Sequence, residues 1–141
     1  KHKKTIILRT SFIGKSMTLH RKSFDDFIKE KIDSRSELFL FSDILFSPLH
    51  MKTLSYFVIL ILKNGIFGVY NIGSRNGFSK SKFGMEVVKR FNLPSEKIKI
   101  ISSDKISNRA LRPKDLRLNV EKIEKKLGIR LPTLIQEIEK I

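Results

Sequence analysis

The chain has no cysteine. That excludes a disulfide scaffold and a cysteine-ligated zinc site, and it agrees with a reducing, cytoplasmic setting. Its three histidines, His2, His20 and His50, lie far apart without ligand spacing, so no metal site is expected. No apolar run reaches the about 20 residues that a membrane-spanning helix needs. The longest, Leu54 to Leu62 (LSYFVILIL), reads as a buried helix, and no membrane partner is expected. The N-terminal lysines run straight into TIILRT, too short and too strand-like for a signal peptide. The seven glycines form neither G-x-G-x-x-G nor a phosphate-binding loop. Neither tyrosine has a lysine four residues on: Leu60 follows Tyr56 and Ser74 follows Tyr70. A Tyr-x-x-x-Lys pair for proton transfer is therefore missing. The loose histidines support no Ser-His-Asp arrangement. The paired Asp25 and Asp26 are accounted for by a helix N-terminus. On residues alone, the chain carries no catalytic constellation.

What is present is a basic, Lys-rich and Ile-rich chain of 141 residues with a formal net charge of +15. Hydrophobic residues make up 40%, enough for a core and too many for a disordered tail. A basic surface raises the possibility of nucleic-acid binding. Yet the 20 lysines outnumber the 9 arginines and are spread along the chain. Base readout favours arginine, and single-strand binding favours exposed aromatics. The 11 Phe and 2 Tyr sit mostly in apolar patterns, so nucleic acid is set aside as a partner. A positive field still suits an anionic small ligand.

Read along the chain, Thr5 to Gly14 is a continuous apolar run of the kind buried on both faces in a parallel sheet. Ser23 is placed to cap a helix whose Phe24, Phe27, Ile28 and Ile32 share one face. Glu37 to Phe41 reads as a strand, and Ser42 to His50 as a loop stiffened by Pro48. A helix from Met51 to Gly65, apolar nearly all round, should lie buried between layers. IFGVYNIGS is a further buried strand. Ser79 caps the next helix, in which Phe83, Val87 and Phe91 step along one face, and Pro94 prevents its continuation. KIKIIS is a strand, Asn119 caps a helix ending at Gly128, and Pro132 opens the last helix. Strands alternating with helices predict α/β architecture.

Four segments, in order, carry a resemblance. ILRTSFIG resembles the I-L-R-T-S-W-V-Y-G strand and loop of dTDP-4-dehydrorhamnose reductases, the sugar-nucleotide branch of the extended short-chain dehydrogenases. FSDILFSPLHMKTLS is similar to that family's D-Q-x-G-x-P-T loop and following helix. GVYNIGSRNGFSKSKFGMEVVKRF resembles its G-x-Y-x-x-x-G-x-x-x-S-x-x-E-F-A segment. ALRPKDLRLNVEKIEKKLGIRLPTLIQEI is similar to the closing segment, which begins A-x-R-P. The resemblance covers nearly the whole chain.

It implies the C-terminal part of a Rossmann-type fold, with a few parallel strands plus a small helical substrate-binding lobe. The whole enzyme would be roughly twice this length. The N-terminal dinucleotide-binding half, with the Gly-rich turn, the Tyr-x-x-x-Lys pair and most contacts to NADPH or NADH, is expected to be absent here. The implied partner is a nucleotide-diphosphate sugar whose 4-keto group is reduced; the oligomeric state is not indicated. The implied substrate-binding residues are Phe12, Asp43, Pro48, Arg109 and Arg112, with Arg112 held by Pro113 toward the diphosphate. Thr10 and Ser11, at a strand end, are the implied cofactor contacts. The chain departs from the pattern at Phe12, where the family has Trp, and at Ile44, where it has Gln. The first removes an N–H donor and the second a polar contact. Alternatives are an epimerase or dehydratase of the same superfamily, a non-catalytic regulatory relative, or a basic nucleic-acid-binding domain. No catalytic residue is assigned to this chain, and alone it is expected to be inactive.

Overall fold

The computed structural model describes residues 4–18, 21–106, 110 and 113–141. Its elements are β1 (Ile6–Thr10), β2 (Phe12–Ile13), α1 (Phe24–Asp33), β3 (Leu38–Phe41), β4 (Leu45–Phe46), β5 (Leu49–His50), α2 (Met51–Lys63), β6 (Gly68–Ile72), β7 (Phe78–Ser79), α3 (Lys80–Arg90), β8 (Ile98–Ile101), β9 (Asp115–Leu116), α4 (Glu121–Leu127) and α5 (Leu134–Ile138). Among the described residues four pairs are parallel: β1 with β6, β2 with β5, β3 with β8, and β4 with β9. A mixed sheet runs β7-β4-β9. Parallel pairing needs long crossovers, and helices supply them, so the α/β class expected from the sequence is the one found.

Local chemistry starts and stops the helices where the sequence indicates. The Ser23 and Ser79 hydroxyls accept the Asp26 and Lys82 N–H groups, each at 3.2 Å. Gly65 and Gly128 take φ of +58° and +67° just past α2 and at the end of α4, where a side chain would be strained. Asn119 does not cap α4: the cap position is Val120, which makes no side-chain cap bond, and Asn119 accepts the Glu121 N–H at 3.0 Å from one residue earlier. Pro132 differs from expectation. It lies before the cap, and Thr133 opens α5 in a reciprocal capping box with Gln136.

Two apolar clusters form. One gathers α1, β3, α3 and α5 around Phe83, with Phe46 edge-on at 5.3 Å and Phe24 stacked at 5.5 Å. The other packs α2 and α4 on β1 and β6 through Phe57, Ile61, Tyr70, Ile72 and Ile123. Several sequence expectations are corrected here. β1 is not covered on both faces: it pairs with β6 alone, and Ile7 and Val69, opposite each other, stay 53% and 41% exposed. α2 is not buried all round: Phe57 and Ile61 face inward, but Tyr56, Ile59 and Leu62 point outward, where no second layer lies among the described residues. The segment from Ser42 to His50 is no simple loop, since it contributes β4 and β5. Phe27 and Phe91 lie at the surface, each beneath a cation, with Lys31 Nζ 5.9 Å and Lys29 Nζ 4.0 Å from the ring centres. Among the described residues no helix is long and apolar enough to cross a membrane.

Candidate functional site

The end of β1 meets the chain entering α2. The Ser11 carbonyl accepts the Leu49 N–H at 3.0 Å, and Phe12 stands opposite Leu49 in the β2–β5 pair. Phe12 and the buried Pro48, 36 positions apart in sequence, thereby become neighbours. The Phe12 ring is 57% exposed. The Ser11 hydroxyl is buried and has no hydrogen-bond partner among the described residues, while exposed Thr10 donates to the Ser11 carbonyl at 3.3 Å. Behind Phe12, the Gly14 N–H donates to buried Asp25 at 3.1 Å and the Ser16 N–H to Asp26 at 2.7 Å. These carboxylates thus do more than complement a helix dipole; they fix the loop. Burial opposes ionisation of Asp26, but the bonds from Ser16 and Ser23 outweigh it and hold its carboxyl below the ordinary value. Gly14 has φ +120°, and a Cβ there would lie 3.1 Å from His50 Nε2, so glycine permits both the turn and the approach.

Asp43 is surrounded by donors: the Ser103 N–H at 2.8 Å, the Ser102 and Ser103 hydroxyls at 2.9 and 3.0 Å, and Lys114 Nζ at 3.0 Å. Led by the Ser103 N–H, they hold its carboxyl well below the usual carboxylate range. Lys114 also binds Asp104 at 2.5 Å, and the two carboxylates raise its pKa. The Leu45 N–H donates to the Lys114 carbonyl at 2.7 Å. The structure therefore brings Asp43 against the segment that follows Pro113. Arg109 and Arg112 lie outside the described residues.

Sequence reasoning missed two joints. Ser47 is the first: its hydroxyl accepts the Leu118 N–H and its carbonyl the Ser74 N–H, both at 2.9 Å. A Cβ on Gly73 would stand 2.7 Å from that carbonyl, so the loop after β6 can approach only as glycine. The second is Glu137, fully buried on α5. It accepts the His50 N–H at 2.6 Å, the Thr53 hydroxyl at 3.1 Å and Lys140 at 2.5 Å. α2 has no acidic residue in its first turn, and Glu137 supplies one from 84 residues away. A signal existed: Leu134, Glu137, Ile138 and Ile141 fall on one stripe, so a carboxylate was written into a core position.

The loop after β6 also walls a 680 Å³ cleft shared with the segment from Asp115 to Glu121. Its charges are largely matched. Arg117 grips Asp115 through two bonds of 2.9 and 2.7 Å and draws that carboxyl down to about 2. Among the described residues no group of three or more His, Asp or Glu side chains could hold a metal ion. Chemically, the surface around Phe12 offers hydroxyls and an open aromatic face, while Asp26 and Asp43 are committed to donors. That equipment suits holding a ligand.

A family model described as the RmlD substrate binding domain matches residues 1–141. No curated protein sequence matches the chain. Among solved structures, a dTDP-4-dehydrorhamnose reductase from Bacillus anthracis in complex with NADP superposes with a TM-score of 0.83 at 18% identity, over 96% of this chain and 47% of that one. The Bordetella bronchiseptica enzyme WbmG, solved with NAD and UDP, gives 0.72 at 17% identity, over 95% and 40%. A Bacillus anthracis dTDP-glucose 4,6-dehydratase with NAD gives 0.71 at 18%, over 96% and 42%. The chain thus spans less than half the length of these structures.

Proposed function

Because the chain belongs to the RmlD substrate-binding domain family, we propose that it is the substrate-binding half of an NAD(P)-dependent nucleotide-sugar reductase that acts on a 4-keto sugar. Its membership in a nucleotide-sugar reductase family rests on the match over its whole length. The observation that carries the finer reading is the open sheet. β1 and β6 form a parallel pair with an apolar face, Ile7 and Val69, left to solvent. A two-stranded sheet is marginal alone, and a dinucleotide-binding half that extended it would set its cofactor beside the C-terminal end of β1. The Ser11 hydroxyl fits that role as a buried polar atom at this strand end without a partner among the described residues, and Thr10 is exposed next to it.

When bound, the nicotinamide supplies the hydride for the sugar carbonyl. This chain's share is positioning. Phe12 lays an apolar face against the sugar without the N–H of a tryptophan. Pro48 and Asp43 hold the wall beside it, Asp43 through its grip on Ser103 and Lys114. Arg109 and Arg112 are assigned to the diphosphate on the resemblance alone. The reductase reading stands ahead of the dehydratase reading because the family model that matches the whole chain is the RmlD substrate binding domain.

The test pairs binding with turnover. Saturation-transfer NMR with dTDP-glucose should show contacts to the chain, weakened about tenfold or more by Phe12→Ala, in line with the loss of a large aromatic contact. NADPH consumption by the chain alone, offered a dTDP-4-keto sugar, should be nil. Turnover by these 141 residues would refute the division of labour, and wild-type affinity in Phe12→Ala would remove Phe12 from the site.

A further inference from the structure

A second cleft, about 740 Å³, lies between α2 and α5, and its lining has a different charge pattern. Lys52 from α2, Arg75 from the loop after β6, Arg130 from the α4–α5 turn and Lys140 near the end of the chain all border it, and among the described residues no carboxylate lines it, although Arg75 and Arg130 also edge the first cleft beside Glu121 and Glu124. Four cations from four segments are thus gathered around one hollow. Thr10, Ser11, Phe12 and Asp43 do not line it.

Two of the four are partly engaged. Lys140 binds Glu137 and the Thr53 hydroxyl, and Arg75 lies 3.7 Å from Glu124, beyond hydrogen-bond reach. Arg130 and Lys52 make no ion pair among the described residues. The wall that carries Arg75 is held in place. Its N–H donates to the Pro132 carbonyl at 2.8 Å, and its carbonyl accepts the Leu134 N–H at 2.9 Å. At the start of α2 the His50 N–H is taken by Glu137 and the Lys52 N–H by the His50 ring nitrogen, so the site is built on the side chains and not on the helix end. Tyr56, 59% exposed, stands on the same wall as the cations. Lys140 and Arg75 each have a carboxylate beside them, so Arg130 and Lys52 are the charges left without a counterion among the described residues, and guanidinium groups suit phosphate oxygens. A volume of this size falls within the range of small-ligand sites.

We infer that this cleft binds a nucleoside diphosphate, its phosphates among Arg75, Arg130 and Lys52 and its flat ring against Tyr56, at a site separate from the substrate surface near Phe12. This inference does not rest on the function proposed above.

The test is calorimetric titration of the 141-residue chain with uridine diphosphate and, separately, with inorganic pyrophosphate, at about 0.15 M salt to suppress diffuse attraction. Tyrosine fluorescence serves as the locator, since the chain has no tryptophan and Tyr70 is buried. Both anions should bind saturably and quench Tyr56, the nucleotide more tightly. Arg130→Glu should weaken both by about tenfold or more. Its melting temperature should stay unchanged, because the side chain bonds to nothing described. Tyr56→Ala should weaken the nucleotide and spare pyrophosphate. Lys99→Glu, an equal charge change on β8, should leave both affinities intact. Equal losses in Lys99→Glu and Arg130→Glu would mean general attraction to a basic chain and overturn the site. So would loss in Phe12→Ala with retention in Arg130→Glu, which moves the nucleotide to the substrate surface. Absence of saturable binding overturns it outright.

Discussion

The cluster around Phe83 and the cluster around Ile61 are finished in different ways. The first is enclosed by α1, α3 and α5, and the rings left at its surface lie beneath cations: Phe27 under Lys31, Phe39 under Lys99, Phe91 under Lys29 and Arg90. The second is covered by α2 and α4 on one face of β1 and β6 only. Beside the exposed rings of Tyr56 and Phe67, its outward residues include the aliphatic Ile7, Val69, Ile59 and Leu62, which no cation can cover in the same way. The lysines of this basic chain thus have local employment in the lobe. The sheet half has the look of a surface that further structure completes, as the proposed function requires.

The contrast can be broken at its strongest point first. Phe83→Ala should cost about 4 kcal/mol in urea unfolding, because an enclosed core cannot collapse onto the cavity. A cost under about 1 kcal/mol would show that the lobe is loosely filled. Next comes the joint between the halves. Glu137→Ala leaves the His50 N–H, the Thr53 hydroxyl and Lys140 without their shared acceptor, and should cost about 3 kcal/mol. Lys140→Ala, by contrast, removes a half-exposed cation and leaves Glu137 its bonds from the His50 N–H and the Thr53 hydroxyl, so it should cost less than Glu137→Ala. If the two substitutions cost the same, Glu137 does not hold α2 to α5 in the way described.

A smaller effect follows from His50. Burial lowers its pKa in the folded chain, so below the ordinary value of 6.5 the unfolded chain binds a proton that the folded chain resists. This contribution is complete above 6.5 and fades as pH falls through the folded value. Melting temperature measured from pH 7.5 downward should therefore fall, and His50→Asn should flatten that part of the curve; a slope identical in the variant would assign it elsewhere. The smallest effect is expected on the open face. Ile7→Ser should change the stability of this chain by no more than about 0.5 kcal/mol. The same change in a protein that also carries the dinucleotide-binding half should cost more, and equal costs would argue that nothing covers β1.

Much of the order of elements could be read from periodicity and caps. Ser23, Ser79, Gly65 and Gly128 mark helix ends by geometry that reaches no further than a turn, so the sequence carries the information locally; Asn119 was read one residue early, since Val120 holds the cap position of α4. β4 and β5 escaped notice because each is two residues long and exists only through partners distant in sequence, Phe78–Ser79 and Phe12–Ile13. At the candidate site, Phe12, Asp43 and Pro48 were named from resemblance. Their neighbours Ser102, Ser103 and Lys114 were not, since hydrogen bonds across about 60 to 70 positions leave no pattern in a single sequence.

By itself, then, the sequence determined the helices and principal strands, the α/β alternation and the strong positive charge, all of which follow from residue type and near-neighbour spacing. Only the tertiary structure decided which apolar residues stay in water, that Glu137 accepts the His50 N–H at the start of a helix 87 residues away, and that four scattered cations border one cleft. Burial and charge proximity depend on which surfaces meet after the chain has crossed itself, and no local pattern encodes that.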